Sequence, residues 1–128
     1  MQEGLNKLGE QIIGAAMKVH SALGAGLLES AYEICLAHEL TKQGLSIERQ
    51  LPLPVVYDGI KLDCAYRLDI VVEGSVVLEL KATDKLLAIH AAQLISYLRL
   101  GNYPLGYLLN FNSVHLRDGI KRLANTRQ

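Results

Sequence analysis

The chain of 128 residues carries thirteen basic and thirteen acidic side chains and a formal charge of zero, which excludes the global positive field that steers many nucleic-acid binders. Its length suits one domain that buries roughly two-thirds of its unfolded surface around a single core. Any contact with nucleic acid must then come from a local patch.

Cys35 and Cys64 stand without a C-x-x-C or Cys/His ligand spacing, the pattern of reduced, buried thiols in a cytoplasmic protein. Lys7, Glu10 and Lys18 break up the apolar residues near the N-terminus. Neither a signal peptide nor a membrane span is expected, and a cytoplasmic location follows.

Apolar residues recur at helical spacing from Leu5 to Leu23, so an amphipathic helix is expected there. Gly24-Ala25-Gly26 interrupts it, and a second helix should run from about Leu27 to a C-terminal cap at Gly44. Within it Glu29, Tyr32, Glu33 and Leu36 fall at i, i+3, i+4 and i+7, which places Glu29 and Tyr32 on one face. A carboxylate in the first turn is also favoured by the helix dipole alone.

The pattern then shifts to strands. Pro52 and Pro54 mark Ser46 to Tyr57 as an edge or bulged segment, and Asp58-Gly59 is a hairpin turn signal. Ile60 to Val72 reads as the second strand, Glu73-Gly74-Ser75 as a turn, and Val76 to Ala82 as the third. A third helix over Leu86 to Leu100 ends at Gly101-Asn102, and Tyr103 to Phe111 reads as a buried fourth strand. The tail from Val114 to Ala124 fits either a short strand or a helical turn. This order of elements implies an α/β sandwich with a mixed sheet.

Asp69, Glu79 and Lys81 interrupt apolar runs on the central hairpin, where an unpaired buried charge costs several kcal/mol. If Glu73-Gly74 were a two-residue turn, Asp69 would pair with Leu78 and the charges would scatter over both faces. A three-residue loop with Gly74 left-handed instead pairs Val72 with Val76, Ile70 with Leu78 and Asp69 with Glu79. Ile70, Val72, Val76, Leu78 and Leu80 then form one apolar face, and Lys81 joins the two acids on the other.

Two carboxylates about 4 Å apart repel by roughly 4 kcal/mol at an effective dielectric near 20. Lys81 can offset this, and so can a divalent ion, since such oxygen ligands suit magnesium or manganese. A partly buried Asp-Lys-Glu network without catalytic function is the other account of the same residues.

Glu on a helix, Asp on a strand, E-x-K on the next strand and Q-x-x-x-Y on the following helix resemble the PD-(D/E)XK nuclease superfamily, in particular its RecB-like branch. G-L-L-E-S-A-Y at positions 26–32 resembles the motif of the small bacterial GxxExxY proteins. The likeness continues through Y-R-L-D-I-V-V, L-E-L-K-A, I-H-A-A-Q-L-I-S-Y-L-R-L and L-L-N-F-N-S-V. Leu68 stands where the superfamily's name has Pro. The resemblance implies a restriction-endonuclease-like αβββαβ core, with a mixed central sheet flanked by helices.

It also implies that Asp69 and Glu79 are metal ligands for Mg2+ or Mn2+, that Glu29 completes the metal or water shell, and that Lys81 positions the attacking water. Gln93 and Tyr97, at i and i+4, would orient Lys81 or meet the substrate backbone; a polar helix face capping the sheet edge is the alternative. Tyr32, Arg67 and His90 are candidate substrate contacts; an ion pair with a neighbouring carboxylate accounts for Arg67 equally well, and a packed or solvent-facing histidine is the alternative for His90. Arg117, Lys121 and Arg122 form a local basic cluster that would suit a phosphate backbone or remain solvated.

The implied activity is metal-dependent hydrolysis of phosphodiester bonds, in DNA more than RNA. A two-fold homodimer would double the basic surface. The other reading is a non-catalytic nucleic-acid- or protein-binding module that keeps the fold, in keeping with the zero net charge and few aromatic residues.

Overall fold

The computed structural model describes residues 2–63 and 66–126; Cys64, expected among the core thiols, lies outside them. Helix α1 (Gln2–Leu23) lays Ile12, Ala15, Ala16 and Val19 into the core, the i, i+3, i+4, i+7 stripe of an amphipathic helix. Gly24 and Gly26 take φ of 74° and 96° and turn the chain into α2 (Glu29–Lys42). Gly44, at φ 82°, closes α2 with the Leu45 amide donating to the Leu40 carbonyl at 3.2 Å, as a glycine after the last turn should.

Among the described residues seven strands follow, with one α-helix and one 3-10 turn among them. They are β1 (Ile47–Pro52), β2 (Val55–Tyr57), β3 (Ile60–Leu62), β4 (Arg67–Val72), β5 (Val76–Lys81), β6 (Leu105–Asn110) and β7 (Ile120–Ala124); α3 (Ala88–Gly101) connects β5 to β6. Five of them form a mixed sheet in the order β1-β4-β5-β6-β7. β5 and β6 are parallel and the other neighbours antiparallel, because α3 supplies the crossover that parallel strands require. β1 is at the edge, where Pro52 removes no ladder bond from a central strand.

The stretch expected as one strand over Ile60 to Val72 divides between two sheets. Among the described residues β3 pairs with β2 alone, across the Asp58-Gly59 turn, whereas β4 pairs with β1. Pro52 and Pro54 split the preceding segment, so its two halves take different partners. The tail contains both alternatives the sequence allowed, a 3-10 turn at Leu116–Gly119 and then β7.

Helices α1 and α2 cover one face of the sheet, packing on Ile70, Val72, Val76, Leu78, Leu80, Leu105, Tyr107 and Leu109. Helix α3 covers the other, with Leu94, Tyr97 and Leu98 against Val71, Val77 and Leu108. Gly106 lets α3 approach, since a Cβ there would lie 3.1 Å from both Leu94 and Leu98. Among the described residues no helix is long and apolar enough to cross a membrane.

Candidate active site

The β4–β5 hairpin has the register expected for the three-residue loop, reached through a turn with two-residue geometry. Glu73 and Gly74 have φ of 53° and 62°, as a two-residue type I′ turn requires, and the Ser75 amide donates to the Val72 carbonyl at 3.0 Å. Ser75 is then an extra, bulged residue, so the ladder resumes as Val72 with Val76, Val71 with Val77 and Ile70 with Leu78. That is the register of the three-residue loop. The five apolar residues from Ile70 to Leu80 do share the face under α1 and α2.

The ladder stops at Ile70, one residue before the expected pairing of Asp69 with Glu79. On the other side of β4, Gln50 and Asp69 are likewise unpaired, between Arg49 with Ile70 and Leu51 with Leu68. The strand turns over here: Leu68 packs with Val71 and Val77 on the α3 side, where strict alternation from Ile70 would send it to the opposite face. Asp69 thus lies at a gap in both of its ladders.

Side chains take the places of the missing ladder bonds. The Asp69 amide donates to Glu79 Oε2 at 3.0 Å, and the Leu80 amide donates to Asp69 Oδ2 at 2.9 Å. The two carboxylates are therefore fixed against each other by backbone groups rather than by a flat cross-strand pair. Such reciprocal bonds satisfy buried amides that would otherwise lack partners.

Glu79 is only 6% exposed. Burial, reinforced by the charge of Asp69, pushes its carboxyl up to about 8, against the pull of the Asp69 amide and of Lys81. Its Oε1 has no hydrogen-bond partner among the described residues. Lys81 follows on β5, half-buried and without an ion pair among the described residues.

Helix α2 borders an adjoining cleft. Glu29, Ser30, Glu33, Gln50, Asp69 and Ala82 line this cleft of about 650 Å³, and of the three charges on the central hairpin only Asp69 is among its lining residues. Glu29 Oε2 accepts the Ala82 amide at 3.2 Å, which ties the start of α2 to the residue after Lys81. The following loop is held by Asn110, buried in β6, which accepts the Thr83 amide at 3.1 Å and donates to the Thr83 carbonyl at 3.0 Å.

Asp69 and Glu79 present hard oxygen donors, the type that magnesium and manganese accept through one or two carboxylates with waters completing the shell. Asp69 Oδ1, with a single 3.4 Å contact to Gln50, and Glu79 Oε1 are the oxygens left for such an ion. These residues fit a two-carboxylate cation site. No group of three His, Cys, Asp or Glu side chains that could hold a metal occurs among the described residues, and Glu29 instead bonds the Ala82 amide.

The remaining expected residues spread around this centre. Tyr97 is buried and leans on Tyr66 at 5.9 Å; burial and then the charge of Glu79 raise its phenol. Gln93, one turn earlier, is exposed and makes no hydrogen bond to Lys81. Arg67 is exposed and donates to the Gln50 carbonyl at 3.3 Å. His90 Nδ1 accepts the Leu87 amide at 2.9 Å and so caps α3.

Tyr32 departs from the expected substrate contact. Its side chain is 0% exposed and stacks on Phe111 with ring centres 4.6 Å apart. The hydroxyl donates to the Gly24 carbonyl at 2.6 Å and accepts the Leu27 amide at 3.0 Å. It fixes the loop before α2 and does not line the cleft.

Sequence reasoning missed Glu33, Arg49 and Gln50. Glu33 is 7% exposed, and its carboxylate accepts Arg49 Nε at 3.0 Å and Gln50 Nε2 at 2.9 Å. Its position one turn after Glu29 was the available signal. Its partners lie on another element 16 and 17 residues away, which spacing along a helix does not disclose.

An α-helical pair and a single helix on opposite faces of a five-stranded mixed sheet, with acids at a gap between central strands, define a restriction-endonuclease-like fold. A family model of the PD-(D/E)XK nuclease superfamily matches residues 6–123. The chain belongs to that superfamily. No curated protein and no solved structure matches it significantly.

Proposed function

We propose that the protein is a nuclease of the GxxExxY type on the RecB-like branch, cutting phosphodiester bonds in DNA with Mg2+ or Mn2+. The observation that carries this reading is the gap at Asp69, which sets Asp69 and Glu79 together beside Lys81 in a chain of the PD-(D/E)XK superfamily. Members of that superfamily usually use divalent metals.

A bound divalent ion lowers the pKa of water and offsets charge on phosphoryl oxygens. Asp69 and Glu79 would hold it, with Glu29 as a further acid on the α2 wall. Lys81 orients the attacking water and stabilises the charge that develops on the phosphate. Tyr97, whose phenol is raised by burial and by the charge of Glu79, and Gln93 would orient Lys81 or meet the substrate backbone, and Arg67 and His90 would add substrate contacts. Arg117, Lys121 and Arg122 extend the contact, and a two-fold homodimer would double it.

Cleavage of DNA with magnesium or manganese should fall by at least about 100-fold in Glu79→Ala and in Lys81→Ala, the usual scale for removing such a group. Activity that survives both substitutions belongs to a contaminant. Millimolar manganese should also raise the melting temperature of the wild type by mass action and leave that of Asp69→Asn unchanged. The absence of a rise in the wild type rules out the metal site.

The ribbon of β2 and β3 favours a second reading. Val56, Tyr57 and Ile60 are exposed on it, and a chain of zero net charge that presents apolar residues there suits a protein-binding module of nuclease fold. Folded protein without cleavage of DNA or RNA, single- or double-stranded, is the outcome that selects it.

A further inference from the structure

Gln50 has a backbone that its residue type does not favour. Its φ is 50°, left-handed, in the middle of an edge strand, where a non-glycine residue is uncommon and strained. It also forms no pair with the residue across the ladder, Asp69. The conformation directs the side chain away from the ordinary strand alternation and into the cleft, where Gln50 is among the lining residues.

There its amide meets two carboxylates. Nε2 donates to Glu33 Oε1 at 2.9 Å and reaches Asp69 Oδ1 at 3.4 Å. Two acceptors on one side fix which end of the amide faces them, since only the NH2 group carries two donors. Glu33 is anchored in turn by Arg49 Nε at 3.0 Å. The other Asp69 oxygen receives the Leu80 amide, so Gln50 supplies the second restraint on that carboxylate.

We propose that Gln50, braced by Glu33 and Arg49, is a positioning residue that fixes the Asp69 carboxylate in the wall of the cleft. What Asp69 does there rests on the nuclease reading; how it is held does not. The strained backbone is the cost of aiming the amide, and outer partners of this kind orient metal-binding carboxylates.

The test uses Gln50→Asn and Gln50→Gly in the full chain. Both residues accept a left-handed backbone better than Gln, and neither side chain spans Glu33 and Asp69. The expected result is a melting temperature at or above that of the wild type, with faster hydrogen exchange at the Leu80 amide by about tenfold as Asp69 swings free. Manganese affinity, titrated directly, should weaken roughly 10- to 100-fold, and kcat should fall while KM for DNA stays within about twofold, since no substrate-contacting side chain is replaced and the Gln50 carbonyl that Arg67 meets is kept.

Wild-type exchange at Leu80 together with wild-type manganese affinity in both variants overturns the proposal. A wild type that neither binds manganese nor cuts nucleic acid defeats the nuclease reading instead. In that case Leu80 exchange alone decides the role of Gln50.

Discussion

Glu79→Gln is expected to make the ion-free protein more stable at pH 8 and, with magnesium present, to abolish cleavage. Burial and the charge of Asp69 raise the Glu79 carboxyl from 4.5 to about 8 in the folded chain. Between these values the folded state holds a proton that the unfolded state has released, so stability falls as pH rises through the window. It is intact below about 4.5, and the loss is complete above about 8. A full shift of this size corresponds to at most about 5 kcal/mol, and relaxation around a buried acid lowers that to the order of 2–5 kcal/mol. Gln cannot ionise, so its stability should not decline over the same range, and it still accepts the Asp69 amide. Urea denaturation with a chelator at pH 5.5, 7 and 8.5 measures the difference. Parallel pH profiles for the two proteins would show that Glu79 ionises without strain. Divalent ions favour the charged carboxylate, so adding magnesium should restore stability to the wild type at pH 8 and do nothing for the variant.

This trade-off explains why the central hairpin was conspicuous in the sequence. Three charges on apolar strands violate the burial pattern, and such violations concentrate at functional sites. The helices, the edge position set by Pro52 and the buried β6 were legible for the same reason, since each follows from a local period or a local breaker. The division of Ile60–Val72 was not, because which strand accepts which partner is settled by topology and not by alternation. The Ser75 bulge was half legible: Gly74 announced a turn, but the left-handed Glu73 did not. Gln50 was invisible for a similar reason. Its φ is positive, yet neither Gly nor Asn marks the position. The strand containing Asn110 was legible but the roles of Asn110 and Asn112 were not: Asn110 clamps Thr83, and Asn112 accepts the Gly26 amide at 3.1 Å.

Tyr32→Ala is expected to be the most destabilising single change at the motif, by about 3–5 kcal/mol for loss of a fully buried aromatic. The side chain fills the space beneath α2 and stacks on Phe111 at an interplanar angle of 16°, a contact worth up to about 1.5 kcal/mol beyond its area. Tyr32→Phe separates packing from tethering. It keeps the stack but leaves the Leu27 amide and the Gly24 carbonyl without the hydroxyl that joins them, which should cost about 1–3 kcal/mol. Leu27 lies two residues before Glu29, whose carboxylate holds the Ala82 amide, so a loosened loop also misplaces the α2 wall of the cleft. The Phe variant should therefore fold, melt several degrees lower, and lose kcat with KM for DNA unchanged. A rise in KM at unchanged kcat would instead show that the hydroxyl reaches substrate, and the motif tyrosine would return to the binding surface from which its burial removes it.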